Sequence, residues 1–118
     1  MKNYKQLIIW QRGIEIVGKI YLLTKQFPKE EKFGIVSQIT RAAVSIPANI
    51  AEGSSRTSRK DYNRFVEISL GSSFELETQL LISKALDLGN HEFIAQTLDL
   101  LTEEEKMLTA FSKALQKA

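Results

Sequence analysis

The chain has 118 residues, of which 43% are hydrophobic and 25% charged, and it contains no cysteine. This length fits a single domain over residues 1–118, and the lack of cysteine excludes disulfide scaffolds, zinc–thiolate sites and thiol catalysis. The net charge is +2, yet residues 1–66 carry 12 Lys or Arg against 5 Asp or Glu, and residues 67–118 carry 4 against 9. This asymmetry fits either a basic surface for a polyanion or charge pairing within or between subunits.

The longest apolar runs are only a few residues, far below the roughly 20 that span a bilayer. The opening residues Met1-Lys2-Asn3-Tyr4 contain no apolar signal segment. These two features predict a cytoplasmic protein with no membrane partner.

The first predicted helix covers about 20 residues and ends at Phe27-Pro28, because a residue before proline is disfavoured in the α region. Gly13 and Gly18 interrupt this helix and each costs about 1 kcal/mol relative to alanine. We therefore expect a neighbouring helix to approach closely there. The predicted buried face consists of Leu7, Trp10, Ile14, Val17 and Tyr21.

The second helix is predicted from about Glu31 to Gly53, where Gly53-Ser54-Ser55 provides a stop. Pro47 lies inside it and removes the hydrogen bond to the carbonyl of Ala43, which predicts one kinked helix rather than two. Its apolar face consists of Ile35, Ile39, Ala42, Ile46 and Ile50.

The third helix opens with a capping pattern, Ser58 and Asp61, and is predicted to run to about Leu88. Small residues around Gly71 indicate close helix packing. The predicted seam consists of Tyr62, Phe65, Ile68, Ser72, Leu76, Leu80 and Ser83. Asn90 caps a fourth helix, whose main stripe consists of Ile94, Leu98, Leu101, Leu108 and Leu115.

These elements predict an all-α protein, because no segment alternates with period two for long enough to form a strand. Long amphipathic helices joined by short loops favour an up-and-down antiparallel four-helix bundle, with the second helix kinked at Pro47. A lone bundle buries one stripe per helix, so additional apolar residues predict an oligomer. These additional residues are Ile8, Ile9, Ile20, Leu22, Val36 and Leu81.

Residues suited to catalysis are scarce. His91 is the only histidine and falls in the first turn of a helix, where a surface position is expected. A di-iron bundle needs Glu-x-x-His on two helices, which one histidine cannot supply. The run Glu103-Glu104-Glu105 is interpreted as a solvated face. The sequence thus predicts no catalytic residue, metal or cofactor, and a protein that is not an enzyme.

Six polar residues share one face of the second helix, at spacings of three and four. One interpretation is a hydrogen-bonded seam to another helix or subunit, in which Arg41 or Arg56 pairs with an acidic residue of the third helix. The other is a lined groove that binds a ligand. The polar residues are Gln38, Arg41, Ser45, Asn49, Glu52 and Arg56, and the candidate acidic partners are Glu67, Glu75 and Glu77.

A basic cluster lies at the junction of the second and third helices, interleaved with Tyr62 and Phe65. Several cations so close together can neutralise phosphates, and a tyrosine can stack on an unpaired base. The alternative is a solvated or inter-subunit role. The cluster consists of Arg56, Arg59, Lys60 and Arg64, to which the first part of the chain adds Lys2, Lys5, Arg12 and Lys19.

The sequence resembles the bacterial four-helix bundle proteins also called 23S rRNA-intervening sequence proteins. The resemblance is strongest over 27–78 and is carried by three motifs. These are Phe27-Pro28-Lys29-Glu30-Glu31, the segment 41–53 with its Ser-Ile-Pro-Ala-Asn-Ile-Ala-Glu-Gly core, and Leu70-Gly71-Ser72 followed by Glu75-Leu76-Glu77-Thr78.

This resemblance implies a long-helix bundle assembled as a homopentamer around a central channel, with no catalytic residues. A more distant similarity to accessory proteins of diversity-generating retroelements implies nucleic-acid binding. The chain departs from these patterns at Gly13 and in its acidic fourth helix. From the resemblance we expect a non-enzymatic RNA-associated protein. The alternative is a protein-binding scaffold or assembly ring without a nucleic-acid ligand.

Overall fold

Residues 3–117 are described by a computed structural model, and they form four α-helices with no β-strand among them. Each helix packs against its neighbours in chain order, and α1 also packs against α4, which closes the bundle. The molecule is elongated, with extents of 47 × 23 × 20 Å. This arrangement confirms the predicted four-helix bundle. The helices are α1 (Ile8–Thr24), α2 (Ile35–Ser54), α3 (Arg59–Ala85) and α4 (His91–Gln116), with short 3₁₀ turns at Tyr4–Gln6 and Lys29–Glu31.

The starts of α3 and α4 follow the predicted caps. The hydroxyl of Ser58 accepts a hydrogen bond from the backbone N–H of Asp61 at 3.1 Å. The side-chain oxygen of Asn90 accepts one from the N–H of Phe93 at 2.8 Å. Each cap satisfies a backbone donor that has no partner inside the helix.

Two helix ends differ from the prediction. The predicted start of α2, Glu31, is instead the last residue of the 3₁₀ turn Lys29–Glu31, and the helix begins only after Gly34. Helix α3 ends at Ala85 because Asp87 adopts a left-handed conformation, φ 58°. The N–H of Leu88 then donates to the carbonyl of Ser83 at 2.8 Å, the bond of a Schellman motif.

Pro47 lies inside α2, which continues through it as one helix, as predicted. Its ring faces α1 at Gly13, and a Cβ atom on Gly13 would lie 3.1 Å from the Cβ of Pro47. The expectation of close approach is therefore confirmed at this glycine. It is wrong at Gly18 and Gly71, where a Cβ atom would meet nothing within 4 Å.

The buried face of α1 is not the predicted one. Trp10 and Val17 are only half-buried, and Ile14 and Tyr21 are 46% and 50% exposed. The sequence carries two apolar stripes at helical spacing, and the second one faces the core. Its buried members are Ile9, Gly13, Ile16, Ile20 and Leu23.

The other helices agree better with the prediction. In α2 the predicted face is buried, apart from the half-buried Ile35. In α3 the predicted seam residues from Leu76 onward are buried. Ile68, also predicted in the seam, is 45% exposed, and in this part of the helix small serines are buried instead. The buried residues of α3 are Val66, Ser69, Ser73, Leu76, Gln79, Leu80 and Ser83, and those of α4 are Ile94, Thr97, Leu101, Glu104, Leu108 and Ser112.

An apolar strip remains on the outside of the α1–α2 pair. Ile14 and Tyr21 of α1 and Val44 of α2 are each more than 40% exposed. We call these three residues the α1–α2 strip. No helix within 3–117 is long and apolar enough to cross a membrane.

Candidate functional site

One end of the bundle concentrates positive charge. The start of α1, the α2–α3 junction and the end of α4 meet there, because neighbouring helices run in opposite directions. Glu52 and Asp61 are the acidic residues among these segments. We call this surface the basic end; its cations are Lys5, Arg56, Arg59, Lys60, Arg64, Lys113 and Lys117.

Two arginines of the basic end also stabilise the fold. Arg56 pairs with Glu52 at 2.8 Å and lies over the ring of Phe65, with its guanidinium carbon 4.7 Å from the ring centroid. Arg59 donates a hydrogen bond of 2.8 Å to the carbonyl of Ala114 in the last turn of α4. The same carbonyl accepts only a long bond of 3.4 Å from the N–H of Lys117, so Arg59 supplies its shorter hydrogen bond.

Lys60 and Arg64 are more available to a ligand. Lys60 is exposed and forms no ion pair among residues 3–117. The side chain of Arg64 is 66% exposed and lies 4.0 Å from a carboxylate oxygen of Asp61, a long and solvated contact. These two cations can therefore contact a phosphate without first giving up a strong internal bond.

The remaining predicted cations lie elsewhere. Arg12 forms an ion pair with Glu103 at 2.9 Å across the α1–α4 groove. Lys19 lies further along α1, 5.8 Å from the ring of Phe93 near the start of α4. Neither joins the basic end. Lys2 lies outside the described residues. Lys113 and Lys117 belong to the basic end but are not among the cations predicted from the sequence.

The aromatic residues of the cluster belong to the packing of the bundle. Tyr62 meets the ring of Phe111 edge-on, with centroids 5.5 Å apart. A Cβ atom on Gly53 would lie 2.9 Å from both Tyr62 and Phe65. Burial raises the pKa of the Tyr62 phenol. The expectation that this half-buried tyrosine stacks on a base stays a prediction.

The polar face of α2 forms a hydrogen-bonded seam to α3. The hydroxyls of Ser45 and Ser72 are 2.7 Å apart. The amide of Asn49 donates to both the carbonyl and the hydroxyl of Ser45, at 2.8 Å each. Ser69 donates to the carbonyl of Ile46 at 2.9 Å, one turn away. Serines therefore provide the close α2–α3 packing that the sequence had suggested for Gly71.

The predicted ion pairs between α2 and α3 are absent within residues 3–117. Arg56 pairs with Glu52 on its own helix, and Arg41 pairs with no acidic residue. Arg41 instead borders two open concavities of about 490 and 390 Å³ on either side of the polar face. The smaller one is lined by Gln38, Arg41, Ala42, Ser45, Ser72 and Glu75.

The acidic run of α4 is not a uniformly solvated face. Glu103 is exposed and Glu105 is half-buried, but Glu104 is 0% exposed. The interpretation of this run as solvent-facing is therefore wrong at Glu104. His91 does lie at the surface, with its Nε2 atom 2.8 Å from a carboxylate oxygen of Asp87.

Residues 3–117 contain no group of three or more His, Asp or Glu side chains that could hold a metal ion. The fold and the surface define an antiparallel four-helix bundle with one basic end and a polar seam along α2. A family model described as the 23S rRNA-intervening sequence protein matches residues 5–110. The chain belongs to this family.

A solved structure supports the fold independently. It is a crystal structure from Bacteroides thetaiotaomicron, described as a protein with unknown function from the S23 ribosomal protein family. It shares 28% identity with this chain at a TM-score of 0.83, and the match covers 90% of this chain and 99% of that one. The sequence has no significant match among curated proteins.

Proposed function

We propose that this protein is a non-enzymatic, cytoplasmic RNA-associated protein that acts as a homo-oligomer and binds RNA at the basic end. The single observation that carries the proposal is the positive charge of that end, which contains seven cationic and two acidic residues. The description of the family as a 23S rRNA-intervening sequence protein fits this surface but leaves the ligand open.

The basic end suits a phosphate backbone better than individual bases. Lysine and arginine contacts to phosphate supply affinity without reading sequence. The nearest aromatic rings, those of Tyr62 and Phe65, are half-buried and already contact the ring of Phe111 and the guanidinium of Arg56. We therefore propose recognition of RNA through its charge and shape.

Self-association is proposed from the α1–α2 strip. A monomer that leaves Ile14, Tyr21 and Val44 in water forgoes their burial. Tyr21 and Val44 line one surface concavity, and grouped apolar exposure is typical of an interface. Arg41, which has no acidic partner among residues 3–117, borders this strip and can pair with a second copy. The family resemblance implies five copies in a ring.

Fluorescence anisotropy with labelled structured and single-stranded RNA tests the RNA proposal. We expect binding at 50 mM salt and a steep loss of affinity by 200 mM, because each neutralised phosphate adds about 0.7 to 0.9 to the slope of log affinity against log salt. The double variant Lys60→Ala/Arg64→Ala should bind more weakly and reduce the slope by about 1 to 2.

The matched control is Lys29→Ala/Lys32→Ala, which removes the same charge at the opposite end, near the 3₁₀ turn Lys29–Glu31. It should leave both affinity and slope close to those of the parent protein. Failure of the parent to bind either RNA at 50 mM salt would overturn the proposal.

A second candidate function is a protein-binding scaffold. The observation that favours it is apolar exposure far from the basic end, where Phe33 is 89% and Leu86 63% exposed. Affinity capture after nuclease treatment, followed by mass spectrometry, distinguishes the two functions. Recovery of one stoichiometric protein that Phe33→Ser abolishes would support the scaffold, whereas loss of all co-purifying material on nuclease treatment would support RNA.

A further inference from the structure

One carboxyl side chain within residues 3–117 is fully buried in the bundle. Glu104 of α4 lies between the buried Leu101 and Leu108 and is 0% exposed. Neither of its carboxylate oxygens has a hydrogen-bond partner. It is the one titratable side chain among the buried residues of 3–117. A buried charge without a partner is strongly unfavourable, so the group must either stay neutral or reach water.

The surroundings of Glu104 offer little to an ionised carboxylate. On α1 the nearest charge is Arg12, whose guanidinium is held by Glu103 at 2.9 Å. The buried residues of α2 and α3 include no ionisable group. The next residue of α4, the half-buried Glu105, faces Glu77 of α3, a like charge. Arg12 on α1 is therefore the one group here that favours the ionised form of Glu104, and it is already paired with Glu103.

The pKa values follow from this geometry. Burial raises the pKa of Glu104 to about 8, and the charge of Arg12 opposes this only in part. Burial, together with a carboxyl–carboxyl contact to Glu77, raises the pKa of Glu105 to about 8 as well. The proton of Glu104 is thus retained in the closed bundle over a pH range in which a solvated glutamic acid has lost it.

We propose that Glu104 is a proton-held latch for α4: the helix stays closed on α1 and α3 while the carboxyl carries its proton, and opens when the proton is released to water. The same helix carries Lys113 and Lys117, so its opening would alter the basic end. The latch is nevertheless independent of RNA binding, because it follows from the packing of Glu104 alone.

Hydrogen exchange on the full chain, corrected for the intrinsic pH dependence of amide exchange, tests this proposal. The open form releases the proton and the closed form holds it, so the opening constant of α4 amides should rise up to tenfold per pH unit between pH 5 and about 8 and then level off. Glu104→Gln keeps the size of the side chain but cannot ionise, and should remove the part of this rise that Glu104 contributes, leaving only the dependence that Glu105 adds.

The control variant is Asp99→Asn, which removes an exposed acidic residue from the same helix and should keep the rise. An equal pH dependence of α4 in the parent and in Glu104→Gln would overturn the latch. An equal rise in the amides of α2 would also overturn it, because the whole bundle would then be unfolding rather than α4 opening.

A direct titration keeps the test decisive if Glu104→Gln fails to fold. The ¹³C signal of the Glu104 carboxyl in the parent protein should titrate near pH 8, well above the ordinary value of 4.5 for a glutamic acid. Titration of this carboxyl at the ordinary value of a solvated glutamic acid would contradict the proposal.

Discussion

Gly13 of α1 and Pro47 of α2 lie against each other so closely that a methyl group on the glycine would come 3.1 Å from Cβ and 3.2 Å from Cδ of the proline ring. The proline ring is held by its own backbone and cannot rotate away. Two features that are each unfavourable in a helix, a glycine and a proline, are therefore combined at one contact.

Replacing Gly13 by alanine should destabilise the protein by about 1 to 3 kcal/mol, the usual cost of overpacking a core. Thermal or urea denaturation measures this loss. Gly18→Ala is the matched control on the same helix, because a Cβ atom there meets nothing within 4 Å. It should stabilise the protein by about 0.5 to 1 kcal/mol through helix propensity. An equal effect of the two substitutions on stability would contradict the close contact between Gly13 and Pro47.

The free energy of unfolding should depend on pH through Glu104. Its pKa is about 8 in the folded protein against an ordinary 4.5, so below pH 4.5 both states hold the proton and stability from this group is complete. Between pH 4.5 and 8 only the unfolded chain ionises, and stability falls by up to about 3 to 5 kcal/mol before levelling off. Urea titrations across this range measure the loss.

The substitution Glu104→Gln should make the loss of stability between pH 4.5 and 8 smaller than in the parent. The remaining loss should come from Glu105, whose pKa is also raised. Glu92→Gln, at an exposed position on α4, should keep the slope of the parent. A parent protein whose stability rises between pH 5 and 8 would contradict the buried, neutral state of Glu104.

Lys113 and Lys117 should contribute to RNA affinity although they lie some fifty residues from the basic cluster of the sequence. The hydrogen bond from Arg59 to the carbonyl of Ala114 places the end of α4 beside the start of α3. Lys113→Ala/Lys117→Ala should therefore weaken binding and lower its salt dependence, as anisotropy titrations measure. Lys84→Ala, at the far end of α3, serves as the control, and an equal loss there would indicate nonspecific attraction.

The α1–α2 strip should carry the proposed self-association. Val44→Asp places a charge at a site that is 42% exposed in the single chain and should reduce the mass measured by light scattering, with the helical circular dichroism unchanged. Phe33→Asp changes an apolar residue that is 89% exposed outside the strip and should leave the mass unaltered. A parent protein that is monomeric at micromolar concentration would rule out the interface.

The helices themselves could be predicted from the sequence because their signals are local. Ser58 and Asn90 act as caps within three residues, and the stripe of α2 has a single apolar face. The buried side of α1 could not be chosen in the same way. Ile16 and Ile20 recur with the same period as Ile14 and Tyr21, and the buried face is decided by packing against α2 and α4, including the approach of Pro47 at Gly13.

The position of Glu104 in the sequence does indicate that it is buried. The residue lies three positions after Leu101 and four before Leu108, within the stripe already predicted for α4. Its place in a run of three acidic residues favoured a solvated interpretation. The sequence contains no such signal for Lys113 and Lys117. They lie near the basic cluster only because α4 runs antiparallel to α3.

Helix α1 begins and α4 ends at the basic end of a molecule 47 Å long. A polyhistidine tag fused next to either helix would sit beside the proposed RNA surface and compete with it. The chain contains no cysteine, so a single thiol introduced in place of Phe33 would attach a fluorophore at the opposite end. Binding could then be followed with a reporter that the RNA does not touch.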